Sequence, residues 1–433
     1  MFMIIAALVL LISALLLVLK KVRPFAVLRV KRLFIPALCV VFVLCLLIFS
    51  STAVKAAVKG LRLWLDIVFP SLFPFFVASE LMNRTGLMRA AGRFFEPLMR
   101  PLFNIPGCAS FAFFMGITSG YPVGAKITAD LRRQELVSKE EADRLIAFSN
   151  NSGPLFIAGS VATGMLQIPS AGLYLLGCHI AACVTVGVIK KFGGRRGAIK
   201  PLRCTGRPIS CPEVPGRPSG SAGQNRYQNF GLAFGEAVCN SILLALSIGG
   251  YIILFSVIIN LLIDTGFITS LSAVASRFMQ PLAVNAFVSP VICGIFEITT
   301  GCYMASTVSG APLELKLTAL SLIIGWSGLS VHSQVIGIIG DTDISVSSYI
   351  TGKLLQGFIA AAYTLAGIKI AGIAFWETEP AFRPFMYFHG ASSYWGFPHS
   401  FYAAVLMLAA ALTLLLAFAA ILFVASSLAR RSS

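Results

Sequence analysis

The chain has 433 residues, 57% of them hydrophobic and only 12% charged, with a formal net charge of +17. Several apolar runs exceed the roughly 20 residues a helix needs to cross a bilayer, so a soluble globular enzyme is excluded and the expected fold class is an all-α polytopic membrane protein. The basic residues lie between apolar runs, where the positive-inside rule places them; the partner they imply is the lipid bilayer and no nucleic acid.

The first apolar run, 2–19, lacks a small-residue cleavage site and ends in Lys20, Lys21, Arg23, Arg29, Lys31 and Arg32, which reads as an uncleaved anchor. With that linker cytoplasmic, a run near 34–57 goes outward and one near 61–82 returns, leaving Lys55, Lys59 and Arg62 in an outer turn. Arg84, Arg89, Arg93 and Arg100 follow among apolar residues at helical spacing, the pattern of a helix along the inner interface. Residues 106–130 hold Gly107, Gly116, Gly120, Pro122 and Gly124 and return to Arg132 and Arg133. Irregular backbone at membrane depth survives only against protein or a watery cavity, so a re-entrant hairpin is expected. A span near 142–166, broken at Asn150-Asn151-Ser152-Gly153-Pro154, goes outward and one near 168–189 comes back. The loop from Lys190 to Arg226 carries nine Lys or Arg against Glu213 alone and is read as cytoplasmic.

A span near 239–263 then leads out to Asp264, where earlier features recur. Arg84-Thr85-Gly86 is matched by Asp264-Thr265-Gly266, Met99-Arg100-Pro101-Leu102 by Met279-Gln280-Pro281-Leu282, Ile117-Thr118-Ser119-Gly120 by Ile298-Thr299-Thr300-Gly301, and Ser152-Gly153 by Ser327-Gly328. The second set predicts an interfacial stretch at 267–282, a hairpin near 284–308 and a broken span near 314–338. Three spans separate the two sets, so they enter the membrane from opposite sides, the arithmetic of an inverted-topology repeat. Spans near 347–374 and 399–426 complete nine, with an aromatic-rich outer loop from Trp376 to Phe397 between them. Asp341 and Asp343 in the inner turn after 338 run against the charge rule. The expected divisions are N-terminal transmembrane segments at 1–58, a first repeat at 59–189, the basic loop at 190–228, an inverted repeat at 229–374, and the outer loop with a C-terminal helix at 375–433.

Polar groups inside a membrane are costly and mark function. Glu297 in the second hairpin is open to three roles: proton or cation coupling, pairing with a substrate group, or pinning the hairpin tip. Lys126 on the first hairpin either neutralises an anionic substrate or snorkels to the inner face. Thr118, Ser119 and Tyr121 at one tip and Thr299 and Thr300 at the other offer hydroxyls beside unwound backbone, and half-helix amino termini there suit a carboxylate. Asn150, Asn151 and Ser152 precede Pro154, which breaks the helical ladder; Ser327, Ser330, His332 and Gln334 are their counterparts in the second broken span. Cys178-His179 lies mid-span with no partner ligands, and Cys204 and Cys211 lack the rest of a zinc site. The residues therefore predict no enzyme, no cofactor and no metal, and a small polar or anionic ligand held between the tips. A homo-oligomer and coupling to a proton or another cation stay open.

At Ser119-Gly120-Tyr121-Pro122-Val123-Gly124-Ala125-Lys126, Asn150-Asn151-Ser152-Gly153-Pro154-Leu155-Phe156-Ile157, Gly294-Ile295-Phe296-Glu297-Ile298-Thr299-Thr300-Gly301 and Trp326-Ser327-Gly328-Leu329-Ser330-Val331-His332 the chain resembles the YlbJ family of sporulation integral membrane proteins, within the broader nucleoside-recognition, or Gate, group. The resemblance covers about 60–370. It implies transport of dipicolinic acid from the mother cell across the outer forespore membrane during sporulation. The group's similarity to concentrative nucleoside transporters implies paired re-entrant hairpins and broken helices. A nucleoside or nucleobase transporter and a non-transporting spore-envelope scaffold are the competing readings.

Overall fold

The computed structural model describes residues 36, 38–84, 97–192, 230–277 and 282–371. The first apolar run, most of the interfacial stretch after Arg84, nearly all of the basic loop, the outer aromatic loop and the last expected span lie outside them. Every regular element among the described residues is a helix. Four of these are long and apolar enough to cross a membrane, or five if Pro97–Phe103 and Gly107–Thr118, bent by 97° at their junction, count as one.

Helix α1 (Leu38–Ile48) leads into α2, which runs through Ser50–Leu63, a wider π-wound turn at Trp64–Val68, and Phe69–Arg84. The outer turn expected at 57–61 is absent. Ala53, Ala56, Gly60, Trp64, Val68, Leu72 and Phe76 form one buried stripe at helical spacing straight through that region, while Lys55, Lys59 and Arg62 stand exposed on the opposite face. Burial of the stripe against one partner decides the conformation, and charge on the far side costs the helix nothing. The partner is α9 (Phe230–Asp264), which runs antiparallel to α2. Thr52 donates to the Asp264 carboxylate at one end, Trp64 Nε1 donates to the Ala245 carbonyl at 3.1 Å, and Asn240 Nδ2 donates to Glu80 at the other end. Residues 84 and 264 therefore terminate opposite ends of the pair.

Two series of helices lie between and after these two, the second including a short helix at Leu282–Asn285. The first series is α3 (Pro97–Phe103), the hairpin arms α4 (Ser110–Thr118) and α5 (Val123–Arg133), the broken pair α6 (Lys139–Ser149) and α7 (Phe156–Met165), and α8 (Ser170–Phe192). The second is α10 (Phe267–Ser276), arms α11 (Val288–Phe296) and α12 (Ile298–Ser306), the broken pair α13 (Leu313–Trp326) and α14 (Gly328–Ile339), and α15 (Val346–Ala371). The chain turns between α4 and α5 and between α11 and α12, and is interrupted between α6 and α7 and between α13 and α14, at glycines, prolines and polar residues.

Absent side chains hold the arms together. A Cβ on Gly301 would lie 2.2 Å from the Gly294 Cα, and one on Gly116 or Gly124 would lie 1.6 or 2.0 Å from the Ser149 carbonyl oxygen. The arms thus close on backbone, as small-residue helix contacts in membranes do. Helix α6 starts at a capping box in which Ser138 and Glu141 exchange hydrogen bonds, Glu141 N–H to Ser138 Oγ at 3.2 Å and Ser138 N–H to Glu141 Oε2 at 2.8 Å. Phe103, Phe113 and Phe148 pack with ring centroids 4.6 to 5.5 Å apart, tying α3, α4 and α6 into the core.

The acids that broke the charge rule have a structural explanation. Arg132 donates to both oxygens of Asp343 at 2.8 and 3.0 Å, and Arg133 donates to both oxygens of Asp341 at 2.7 and 3.2 Å and to the Ile338 carbonyl at 2.9 Å. The end of the first hairpin is thereby latched to the turn after α14, so Asp341 and Asp343 share a face with the arginines they neutralise. Hydrogen bonds from these guanidiniums hold both carboxyls below the usual aspartate range. A carboxyl lowered in the folded state contributes above its ordinary pKa and loses that contribution as pH falls through the folded value. The latch should therefore be constant through neutral pH and fail only in acid below about pH 4. Hydrogen exchange of the 340–345 amides should quicken there and in Asp341→Asn/Asp343→Asn at neutral pH; unchanged exchange in the double variant would show that the pairs do not hold the turn.

Candidate functional site

The tips of both hairpins and both helix breaks meet at one cleft. Its walls include Ser119, Gly120 and Tyr121 from the first tip, Gly153, Leu155 and Phe156 from the first break, Glu297, Ile298 and Thr299 from the second tip, and Ser330, Val331 and Gln334 from the turn after the second break. Val68 to Phe76 of α2 and Ile248 to Ile252 of α9 close the remaining side, and the space between the walls, mouth included, is about 590 Å³.

Each tip is seated on a break. Gly120 sits at φ +78°, and a Cβ there would lie 2.8 Å from the Gly153 nitrogen. Gly328, at φ +79°, packs on the second tip, where a Cβ would meet the Ile298 nitrogen at 2.9 Å. Only glycine combines a left-handed backbone with that approach. Ser327 precedes it at φ 78°, a conformation that costs a residue with a side chain about 1–2 kcal/mol. Two successive left-handed residues interrupt the helix between α13 and α14 without a proline.

Glu297 is 1% exposed and terminates α11 while capping α12: its two carboxylate oxygens accept from the Thr299 N–H at 2.8 Å and the Thr300 N–H at 2.5 Å. Of the roles left open by its sequence, pinning the hairpin tip is thus present as geometry, with the carboxylate also in the cleft wall. By contrast, α5 and α14 begin without a side-chain cap. Tyr121 shares a short hydrogen bond with Ser152, joining the first tip to the first break, and Ser327 lies beside the same hydroxyl. Thr118 is turned to its own helix, donating to the Phe114 carbonyl at 2.9 Å.

Lys126 does not line the cleft. In α5 the buried positions Gly124, Ala125, Ile127, Thr128, Ala129 and Leu131 face the protein, and Lys126 shares the outer stripe with Arg133. The helical rotation of the arm carries its ammonium away from the tip, and among the described residues no Lys or Arg stands in the cleft wall.

The buried lysine among the described residues is Lys353 of α15, at 0% exposure. Its ammonium donates to the Asn150 carbonyl at the end of α6, 2.9 Å away, and to Gln356 Oε1 at 2.7 Å. Gln356 Nε2 donates to Asn151 Oδ1 at 2.8 Å and lies 3.3 Å from His179 Nε2, which also receives the Ser152 N–H at 3.3 Å. Asn151 Nδ2 donates to the Phe148 carbonyl at 2.7 Å and meets Cys183 Sγ at 3.2 Å. His332 Nδ1 is 3.0 Å from the Tyr349 hydroxyl, whose other neighbour is Asn150 Nδ2 at 3.4 Å, and its ring stands edge-on to Trp326 and Tyr349. Thus Asn150, Asn151 and Ser152 belong to a buried network behind the first break, with His332 at its edge. In the sequence His179 stands out only as a mid-span residue without metal partners, and Lys353, Gln356 and Tyr349 are not singled out, although a lysine in the middle of an apolar span is the signal that finds them.

A family model described as nucleoside recognition, Gate, matches residues 65–194. Over 316 residues the chain is 37% identical to the sporulation integral membrane protein YlbJ of Bacillus subtilis (strain 168), covering 72% of this chain and 76% of that protein. The chain belongs to the YlbJ family. It is accordingly a multi-pass integral membrane protein with a Gate region, and the matched residues take in α3 to α8, which carry the first tip and the first break, together with α2 from Leu65 onward. No solved structure matches the chain.

Proposed function

We propose that this YlbJ-family chain is a transporter that moves a small aromatic dicarboxylate, dipicolinate, from the mother cell across the outer forespore membrane during sporulation, with its two series of helices acting as inverted-topology repeats around re-entrant hairpins. The observation that carries this reading is the convergence of two tips and two breaks on one cleft, because discontinuous helices meeting at a repeat interface are how transporters build a substrate site. The antiparallel pairing of α2 with α9, the helices that open the two series, supports the inversion. The uncapped amino termini of α5 and α14 supply N–H groups and partial positive charge for carboxylates, while Glu297 already occupies the equivalent end of α12. Phe75, Phe76, Phe156 and Tyr251 give the cleft an aromatic wall suited to a flat ring. Ser119, Tyr121 and Ser330 are the side chains proposed to fix its orientation.

A nucleoside or nucleobase is the second reading, favoured by the description of the matched family model and by a cleft wall that holds no Lys or Arg among the described residues. Dipicolinate pools separate the two. In spore-forming cells lacking this chain, dipicolinate should accumulate in the mother cell while spores are depleted; normal spore dipicolinate would remove it as substrate. The inversion has its own test: a cysteine at 264 should label from outside and one at 84 from the cytoplasm, and labelling of both from one side would exclude it.

A further inference from the structure

Among the described residues, no carboxylate pairs with the buried Lys353 side chain. Its hydrogen-bond acceptors are a main-chain carbonyl and an amide oxygen. The titratable groups around it are His179 and Cys183 on α8, His332 on α14 and Tyr349 on its own helix, with no carboxylate among them. Two carboxylates among the described residues are buried, and each is held elsewhere, Glu141 in its capping box and Glu297 on α12.

Both groups that Lys353 is hydrogen-bonded to present oxygen to it. The Asn150 carbonyl belongs to the C-terminal end of α6, the negative end of its dipole. Gln356 is fixed with its NH2 toward Asn151 Oδ1, so its oxygen must face the ammonium. His179 Nε2 receives the Ser152 N–H and faces the Gln356 NH2, so it is the lone-pair nitrogen of a neutral ring, with the proton on Nδ1. Unwound carbonyls and half-helix C-terminal ends are the groups with which transporters of discontinuous helices bind Na⁺.

We propose that the Lys353 ammonium is a resident cation, filling the oxygen-lined place between the end of α6 and α15 where such a protein would otherwise bind sodium, so that substrate movement does not draw on a sodium gradient. The sodium independence of transport rests on the transporter reading above; the occupancy of the place by the ammonium does not. Lys353 is a positioning residue in this account, holding Asn150 and Asn151 and through them the break beneath the Tyr121 tip.

The test uses the full chain purified in detergent, with its thermal unfolding midpoint read in sodium chloride and in choline chloride at equal ionic strength. Wild type should give the same Tm in both. Lys353→Ala should have a lowered Tm in choline that rises by about 5 °C in sodium or in propylammonium, either of which can re-occupy the emptied place. A plain packing defect would respond to neither cation, and that result would overturn the proposal. Sodium-dependent stabilisation of the wild type would overturn it as well, and that arm stands even if Lys353→Ala fails to accumulate. None of these readouts involves a substrate, so failure of dipicolinate transport leaves them standing.

Discussion

Gly301→Leu should eliminate the folded protein. The first side-chain atom would stand 2.2 Å from the Gly294 Cα and 2.6 Å from its nitrogen, and because both are backbone no rotamer change relieves the overlap. Inserting bulk into a packed core costs about 1–3 kcal/mol when neighbouring side chains can shift; here the two arms of the second hairpin must separate, so the cost exceeds that range. It also unseats Gly328 from Ile298 and opens the cleft from below. Extraction followed by size-exclusion chromatography should show a sharp monodisperse peak for wild type and little or none for the variant. Gly337→Ala is the control: it lies in α14 with nothing within 4 Å of its added Cβ and should leave the peak unchanged or sharper. A normal Gly301→Leu peak would mean that the arms do not approach as described.

Glu297→Gln should retain the inserted protein and lose transport by at least about tenfold. One amide oxygen can still receive one of the two N–H donors, but the NH2 then faces the other, and a buried donor left without an acceptor costs about 1–3 kcal/mol. That penalty falls on the tip of the second hairpin, at the cleft wall. Glu297→Asp keeps the charge and reaches less far, and should retain more transport than Gln. If Gln transports normally while Asp fails, reach rather than charge is what the tip requires; if both transport normally, the carboxylate has no part in the mechanism.

The turns and breaks between the helices were legible because their signals are local. Gly116, Gly120, Pro122 and Gly124 interrupt an apolar run in a way no plain span tolerates, and Asn150 to Pro154 do the same. The turn at 57–61 was misread because charge was weighed above periodicity: Lys55, Lys59 and Arg62 suggest a loop, but the small and apolar stripe from Ala53 to Phe76 continues through them, and only the presence of α9 makes that stripe decisive. Lys126 was preferred to Lys353 because it adjoins a tip in sequence, whereas helical rotation points it outward and a residue more than 200 positions away supplies the buried ammonium. Asp341 and Asp343 looked anomalous for the same reason, since their partners Arg132 and Arg133 lie on a different hairpin. Pairings of this separation leave no mark in a local pattern.

Uptake into proteoliposomes carrying only the purified chain tests the account most directly. Radiolabelled dipicolinate should accumulate above empty vesicles, should be competed by unlabelled dipicolinate and not by nucleosides, and should fall in Glu297→Gln. Vesicles that take up a nucleoside in place of dipicolinate would contradict the substrate assignment, and vesicles that take up neither would contradict the claim that the cleft between the two tips is a transport site.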